Sequence, residues 1–255
     1  EAIKMAPLIK QFQTQDHIVP YVCVTGQHRQ MLDQVLELFD ITPDFDLNIM
    51  RPNQTLSYVT QTVLQGVSEI IQKIKPDYVC VHGDVTTGVA AAMAAFYEKI
   101  PVCHIEAGLR TGDIYSPYPE EMNRKLISAL TTHHFAPTEL SKNNLIQENH
   151  SPNQICVTGN TVIDALFYIR DKMNSDLGFM KKFEEEFHYL NPQKKLILVT
   201  GHRRENLDGG IERVCKALKK IKQDHTDVQI VYPVHLNPHV QAVANQVLDK
   251  SDDIF

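Results

Sequence analysis

The chain has 255 residues, of which 43% are apolar and 22% charged, a globular balance that excludes wholesale disorder. At roughly 150 residues per domain, one large domain or two smaller ones fit the length. Lys+Arg 25 against Asp+Glu 31 leaves a net charge of −6 with no basic run; this argues against nucleic-acid binding but permits an anionic small ligand held by a few clustered cations.

No apolar stretch approaches the ~20 residues of a membrane span, and Glu1-Ala2-Ile3-Lys4-Met5 has no secretory pattern. The cysteines (Cys23, Cys80, Cys103, Cys156 and Cys215) are odd in number, widely spaced and without a Cys-x-x-Cys pair. Four lie in apolar β-like runs, so neither a disulfide framework nor a zinc site is expected. The expectation is a soluble, cytoplasmic protein with no membrane partner. The chain opens on Glu, directly into a helix-like stretch, and stops at Ile254-Phe255, which could begin a strand. Material missing at both ends is therefore expected.

In chain order, short apolar, β-branched runs occupy 18–25, 77–82, 101–105, 133–136, 154–158, 195–200 and 228–234. Segments of helical period lie between them at 28–39, 55–74, 86–98, 120–130, 139–148, 161–173, 209–222 and, more weakly, 238–249. The clearest is 55–74, where Leu56, Val59, Val63, Val67, Ile70 and Ile74 fall on one face. Strands alternating with helices predict β-α-β units and parallel, doubly wound α/β architecture. The charged segment 174–194 breaks the rhythm and reads as a linker, so a first domain over 1–170 and a second over 171–255 are expected.

Parallel sheets bind ligands beyond the carboxyl ends of their strands. The residues at those exits are Gln27-His28-Arg29, His82-Gly83-Asp84, Glu106-Ala107-Gly108-Leu109-Arg110, Gly159-Asn160, His202-Arg203-Arg204 and His235. One polar exit is usually a turn or a cap; this many on one side of a sheet is the signal. Asp84 has a competing role as cap of the helix that follows, Glu106 as the ion-pair partner of Arg110, and Glu120 as an acidic residue favoured by a helix dipole. His202-Arg203-Arg204, just before a helix, suits a phosphate or is a solvated basic turn. Lys4 faces the cleft or is a surface lysine. Long loop 110–119 is a place where active sites are built. There is no Walker A, Gly-x-Gly-x-x-Gly or Gly-x-Ser-x-Gly motif, which argues against a P-loop nucleotidase, a nicotinamide enzyme and an α/β-hydrolase.

Several blocks resemble the bacterial non-hydrolysing UDP-N-acetylglucosamine 2-epimerases. They are Glu1-Ala-Ile-Lys-Met-Ala-Pro-Leu, Val24-Thr-Gly-Gln-His-Arg-Gln-Met-Leu-Asp-Gln, His82-Gly-Asp, His104-Ile-Glu-Ala-Gly-Leu-Arg-Thr-Gly-Asp and Ser116-Pro-Tyr-Pro-Glu-Glu-Met-Asn-Arg. Thr158-Gly-Asn-Thr-Val-Ile-Asp-Ala-Leu, Thr200-Gly-His-Arg-Arg-Glu-Asn and Pro233-Val-His-Leu-Asn-Pro follow in the family's order. Val85 and Gly88 stand where the family has threonines, and Tyr118 where tryptophan is frequent.

The resemblance implies two Rossmann-like domains of glycosyltransferase-B type, the second incomplete in this chain, with the active site in the cleft between them. It implies interconversion of UDP-GlcNAc and UDP-ManNAc through elimination of UDP to a 2-acetamidoglucal and re-addition, for cell-envelope polysaccharide synthesis. No redox or metal cofactor is implied, and a homodimer is. Asp84, Glu106, Glu120 and His202 are the expected catalytic residues; Lys4, Asp84, Glu106, His202 and Arg203 are the expected substrate contacts. Gln27, Gln30, Glu120, Arg203 and His235 resemble a regulatory UDP-GlcNAc site. A hydrolysing relative that releases ManNAc and UDP, and a non-catalytic nucleotide-sugar-binding domain, are the competing readings.

Overall fold

The computed structural model of the chain describes residues 1–201, 209–234, 238–248 and 253–255. These form two compact units, Glu1–Lys172 and Met173–Phe255.

The first unit opens with α1 (Ala2–Gln13), followed by β1 (Cys23–Val24), α2 (Arg29–Leu38) and β2 (Phe45–Asp46). The two short strands pair in parallel. Strand pairing covers only the end of the expected 18–25 run. Pro20 lies inside that run and lacks an N–H to donate, and Val19 and Tyr21 are exposed. Ala6, Val22, Val24, Phe39, Ile41 and Ala165 form the core beneath.

Next come α3 (Leu56–Ile74), β3 (Val79–His82), α4 (Thr86–Tyr97) and β4 (Val102–Ile105). They lead to α5 (Glu120–Leu130), β5 (His133–Ala136), α6 (Glu139–Gln147), β6 (Ile155–Val157) and α7 (Thr161–Ser175). Strands β3 to β6 form one parallel sheet in sequence order, so their carboxyl ends share one edge. Helix α3 starts at Thr55, whose hydroxyl accepts the Tyr58 N–H, and buries Val59, Val63, Val67 and Ile71 at four-residue steps. Its apolar face is rotated from the expected one: Ile71 is buried, and Leu56 is 42% exposed. Against it packs α4, whose Ala90, Ala92, Ala94 and Ala95 are fully buried. Alanine lets the two backbones approach closely while keeping high helix propensity.

The second unit holds α8 (Leu177–Glu186), β7 (Lys195–Leu198), α9 (Gly210–Asp224), β8 (Val228–Val231) and α10 (Pro238–Leu248). Strands β7 and β8 are parallel, and Ile254 bridges Ile230 in the same sense. The expected linker at 174–194 instead contains a helix. The Asp176 carboxylate accepts the Phe179 N–H at 3.0 Å as its N-cap. Phe179 and Phe183 meet edge to face with centroids 4.9 Å apart, an i,i+4 pair that supports one helical face. Cys215 and Ile230 centre the core of this unit.

Gly108, at the exit of β4, has φ +87°, and a Cβ there would lie 2.2 Å from the Ser141 carbonyl oxygen. Gly108→Ala is therefore expected to destabilise the protein by on the order of 3 kcal/mol in urea denaturation; an unchanged midpoint would refute the close packing.

His104 and His134 face each other across β4 and β5 and are almost fully buried. Burial, opposed by the His104 hydrogen bond to the Gly83 carbonyl, lowers the His104 pKa to about 4. Burial and the neighbouring His150 lower that of His134 to about 3. Below pH ~6.5 the unfolded chain takes up protons that these folded histidines refuse. Stability should therefore fall as pH drops from ~6.5 towards 4, by up to about 1.4 kcal/mol per pH unit for each histidine. Between pH 7 and 5, His134→Phe should lose about 2 kcal/mol less than the wild type; an identical loss would show that His134 does not titrate on unfolding.

Candidate functional site

The first unit's four-stranded sheet sends its chain exits to one edge. At the end of β3, Gly83 turns in the left-handed region with φ +67° and donates its N–H to the Ile105 carbonyl. Asp84 follows. It does not cap α4, whose N-cap is Val85 and which has no side-chain cap. Its Oδ2 instead accepts from Arg124 Nη2 at 2.7 Å and Nε at 3.0 Å. Its carbonyl accepts from Asn123 Nδ2 at 2.8 Å.

At the end of β4, Glu106 has φ +65°, a sparsely populated conformation for a residue with a side chain. Its carboxylate is about 10% exposed and accepts from Lys4 Nζ at 2.6 and 2.8 Å. Asn160, past the end of β6, donates Nδ2 to the same carboxylate at 3.0 Å. The alternative partner Arg110 is engaged elsewhere, by Glu148 at 2.6 Å. A Cβ on Gly83 would lie 4.0 Å from Glu106 Oε1. The Lys4–Glu106–Asn160 cluster is therefore next to the turn that carries Asp84.

The first turn of α5 supplies two glutamates with different surroundings. Glu121 is fully buried. Its Oε1 accepts the N–H groups of Thr111 and Gly112 at 3.0 and 3.1 Å, and its Oε2 accepts from Arg124 Nη1 at 2.8 Å. Burial alone would raise its pKa, but the bonds from Arg124, Gly112 and Thr111 outweigh burial and hold the carboxyl below its usual range. Burial likewise opposes the Arg124 cation, and Glu121 with Asp84 more than restores it. Glu120 Oε2 is buried and accepts no hydrogen bond among the described residues. Both glutamates lie in the first turn of α5, where the helix dipole favours an acidic residue, as expected for Glu120.

Behind these carboxylates, His82 is buried with both ring nitrogens unbonded among the described residues. Burial, reinforced by Lys4, lowers its pKa to about 3. His104 Nε2–H donates to the Gly83 carbonyl at 2.7 Å. Both imidazoles are neutral near pH 7.

The structure thus joins Lys4 to Glu106 and ties the Glu120 turn to Asp84 through α5. Gln27 and Gln30 lie at the start of α2, beyond β1; the Gln27 carbonyl accepts from Gln54 Nε2 at 3.3 Å, and no hydrogen bond joins either glutamine to Glu120 among the described residues. His202, Arg203 and His235 fall outside the described residues. Among the described residues no group of three or more His, Cys, Asp or Glu side chains is placed to hold a metal ion, and no helix is long and apolar enough to cross a membrane. Asn160, expected at a strand exit, reaches Glu106, whereas Glu121, Asn123 and Arg124 carry contacts that their positions in the sequence did not reveal. The only hint was the run Pro119-Glu-Glu-Met-Asn-Arg at a helix start.

The family model described as UDP-N-acetylglucosamine 2-epimerase matches residues 10–255. The UDP-N-acetylglucosamine 2-epimerase of Yersinia pestis is 53% identical over 255 residues, covering 100% of this chain and 68% of that protein. The crystal structure of UDP-GlcNAc 2-epimerase from Neisseria meningitidis bound to UDP-GlcNAc superposes with a TM-score of 0.93 at 47% identity, covering 99% of this chain and 68% of that one. The S. aureus MnaA–UDP structure gives a TM-score of 0.86 at 43% identity, covering 100% of this chain and 65% of that one. Both structural relatives share the parallel α/β units of glycosyltransferase-B type. With its carboxylates gathered at the strand ends and its sequence matched from residue 10 to residue 255, the chain belongs to the UDP-N-acetylglucosamine 2-epimerase family.

Proposed function

We propose that the protein interconverts UDP-GlcNAc and UDP-ManNAc without net hydrolysis, with Asp84, Glu106 and Glu120 as its acid/base set. Support comes from one juxtaposition: carboxylates from the ends of β3 and β4 and from the first turn of α5 are gathered at one sheet edge, beside neutral histidines.

The chemistry asks for that arrangement. The sugar C2 proton is weakly acidic, so a positioned carboxylate must take it as the C1–O bond to UDP breaks. The C2–H electron pair becomes the C1=C2 bond of a 2-acetamidoglucal, and UDP leaves with the C1–O pair. Re-addition reverses both changes, and a proton delivered from the opposite face inverts C2. No electrons are gained or lost overall. A base on one face and an acid on the other are needed, and three carboxylates supply both. Lys4, bonded to Glu106, is assigned to orient that carboxylate and to contact the substrate. His202 and Arg203 are assigned, from the sequence, to the departing diphosphate, whose charge develops as the bond breaks. A regulatory UDP-GlcNAc site at Gln27, Gln30, Glu120, Arg203 and His235 and a homodimeric assembly are proposed on the resemblance alone.

Incubating the complete gene product with UDP-GlcNAc in deuterated water should yield UDP-ManNAc, with deuterium at C2. Free ManNAc as the only product would replace this reading with hydrolysis, and binding without turnover would replace it with a non-catalytic role. Asp84→Asn should lower kcat by about 1,000-fold or more in a protein that remains folded by circular dichroism. Wild-type turnover in that variant would remove Asp84 from the reaction.

A further inference from the structure

The carboxylate of Asp84 lies on a short turn between Gly83, which has no side chain to pack, and the first residues of α4. Nothing in that turn fixes its side-chain torsions. Arg124 does so from across the site. Its Nε and Nη2 both reach Oδ2, so the guanidinium edge closes on a single oxygen. Among the described residues Oδ1 accepts no hydrogen bond.

Arginine has four side-chain torsions and is a poor anchor unless it is held in turn. Glu121 holds it: Oε2 takes Nη1, and Oε1 takes the N–H groups of Thr111 and Gly112. A continuous relay runs from the start of the 111–119 loop through Glu121 and Arg124 to Asp84. Asn123, on the same helical turn, grips the Asp84 carbonyl.

Stability alone is a weak reason to bury such a group. Glu121 is 0% exposed, and the desolvation of a fully buried ion pair commonly cancels its attraction, so an apolar pair of similar volume would serve the fold as well. The pair does what an apolar pair cannot: it sets the direction of a third charged group.

We infer that Glu121 and Arg124 are positioning residues for the proposed epimerisation, aiming the unbonded Oδ1 of Asp84 at the reacting sugar while holding the loop that leads to Glu120. The inference rests on the role proposed for Asp84. It assigns Arg124 no contact with substrate and no share in proton transfer.

The test is Glu121→Gln in the complete gene product, with Arg124→Lys as the second variant. An amide at position 121 still accepts from the loop but turns an N–H towards Arg124; a lysine at 124 keeps the charge but cannot fork between two carboxylates. Each variant should bind UDP with the wild-type number of sites per chain by calorimetry. Each should keep KM within about 3-fold of wild type, as expected when ground-state binding is spared. kcat should fall on the order of 100-fold, the cost of misplacing a reacting group by about an ångström. A purely structural role predicts instead that kcat and the number of UDP sites fall in step. That result would overturn the inference, as would wild-type kcat in either folded variant. Should Glu121→Gln fail to fold, Arg124→Lys decides. Asp84→Asn separates the two levels: wild-type turnover there sinks the proposed role of Asp84, whereas a dead Asp84→Asn beside fully active Glu121→Gln and Arg124→Lys sinks only the positioning.

Discussion

A guanidinium held between two carboxylates joins the end of β3 to the first turn of α5. Arg124 accounts for one positive charge against the negative charges of Asp84 and Glu121, and each of its three donor nitrogens has a carboxylate oxygen. Such a unit tolerates burial only when its donors and acceptors are matched, because an unpaired buried charge costs several kcal/mol. The matching is geometric. It requires the strand exit, the helix start and the backbone at Thr111 and Gly112 to be in place together, so in the folded protein the position of Asp84 depends on that of α5.

Glu106 shows a second form of the same economy. Its backbone sits at φ +65°, where a side chain is disfavoured, and the surrounding contacts compensate. The Ala107 N–H goes to the Phe135 carbonyl at 3.0 Å, and Lys4 and Asn160 hold the side chain from α1 and from beyond β6. Strain tolerated at one residue and compensated by three others is common where a side chain must point somewhere the ordinary backbone would not send it. The neutral histidines complete the setting: they fill space beside the carboxylates without adding a competing charge near pH 7.

Much of the scaffold was legible because its signals are local. The β5 strand at 133–136 and the α5 helix at 120–130 begin and end where periodicity places them. The failures have physical causes too. Pro20 shortens β1, β2 is two residues long and leaves no periodic trace, and α8 hides under a charge run whose Lys and Glu are good helix formers. For the site, the strand-exit rule led to Asp84 and Glu106 because exits follow from the strands themselves. It could not lead to Arg124, which meets Asp84 across 40 residues of sequence. Sequence proximity paired Arg110 with Glu106, but Arg110 reaches Glu148, 38 positions away. Contacts made through the third dimension are invisible to spacing, and the residues that hold a site are mostly of that kind.

The two adjacent glutamates at the start of α5 carry a consequence for how this family can vary. Successive residues of an α-helix point about 100° apart, so Glu120 and Glu121 are chemically alike yet separated by orientation alone. Glu120 has a buried carboxylate oxygen that accepts no hydrogen bond among the described residues, whereas Glu121 is bonded to the loop and to Arg124. Lengthening or shortening the 110–119 loop by one residue, with the helix start following, would rotate the wrong carboxylate into each position and move Arg124 and Asn123 off their partners at once. The angular phase of a single helix is therefore a selector. Loop length before α5 is constrained by the loop's own contacts and also by which way its last residue sets the helix turning.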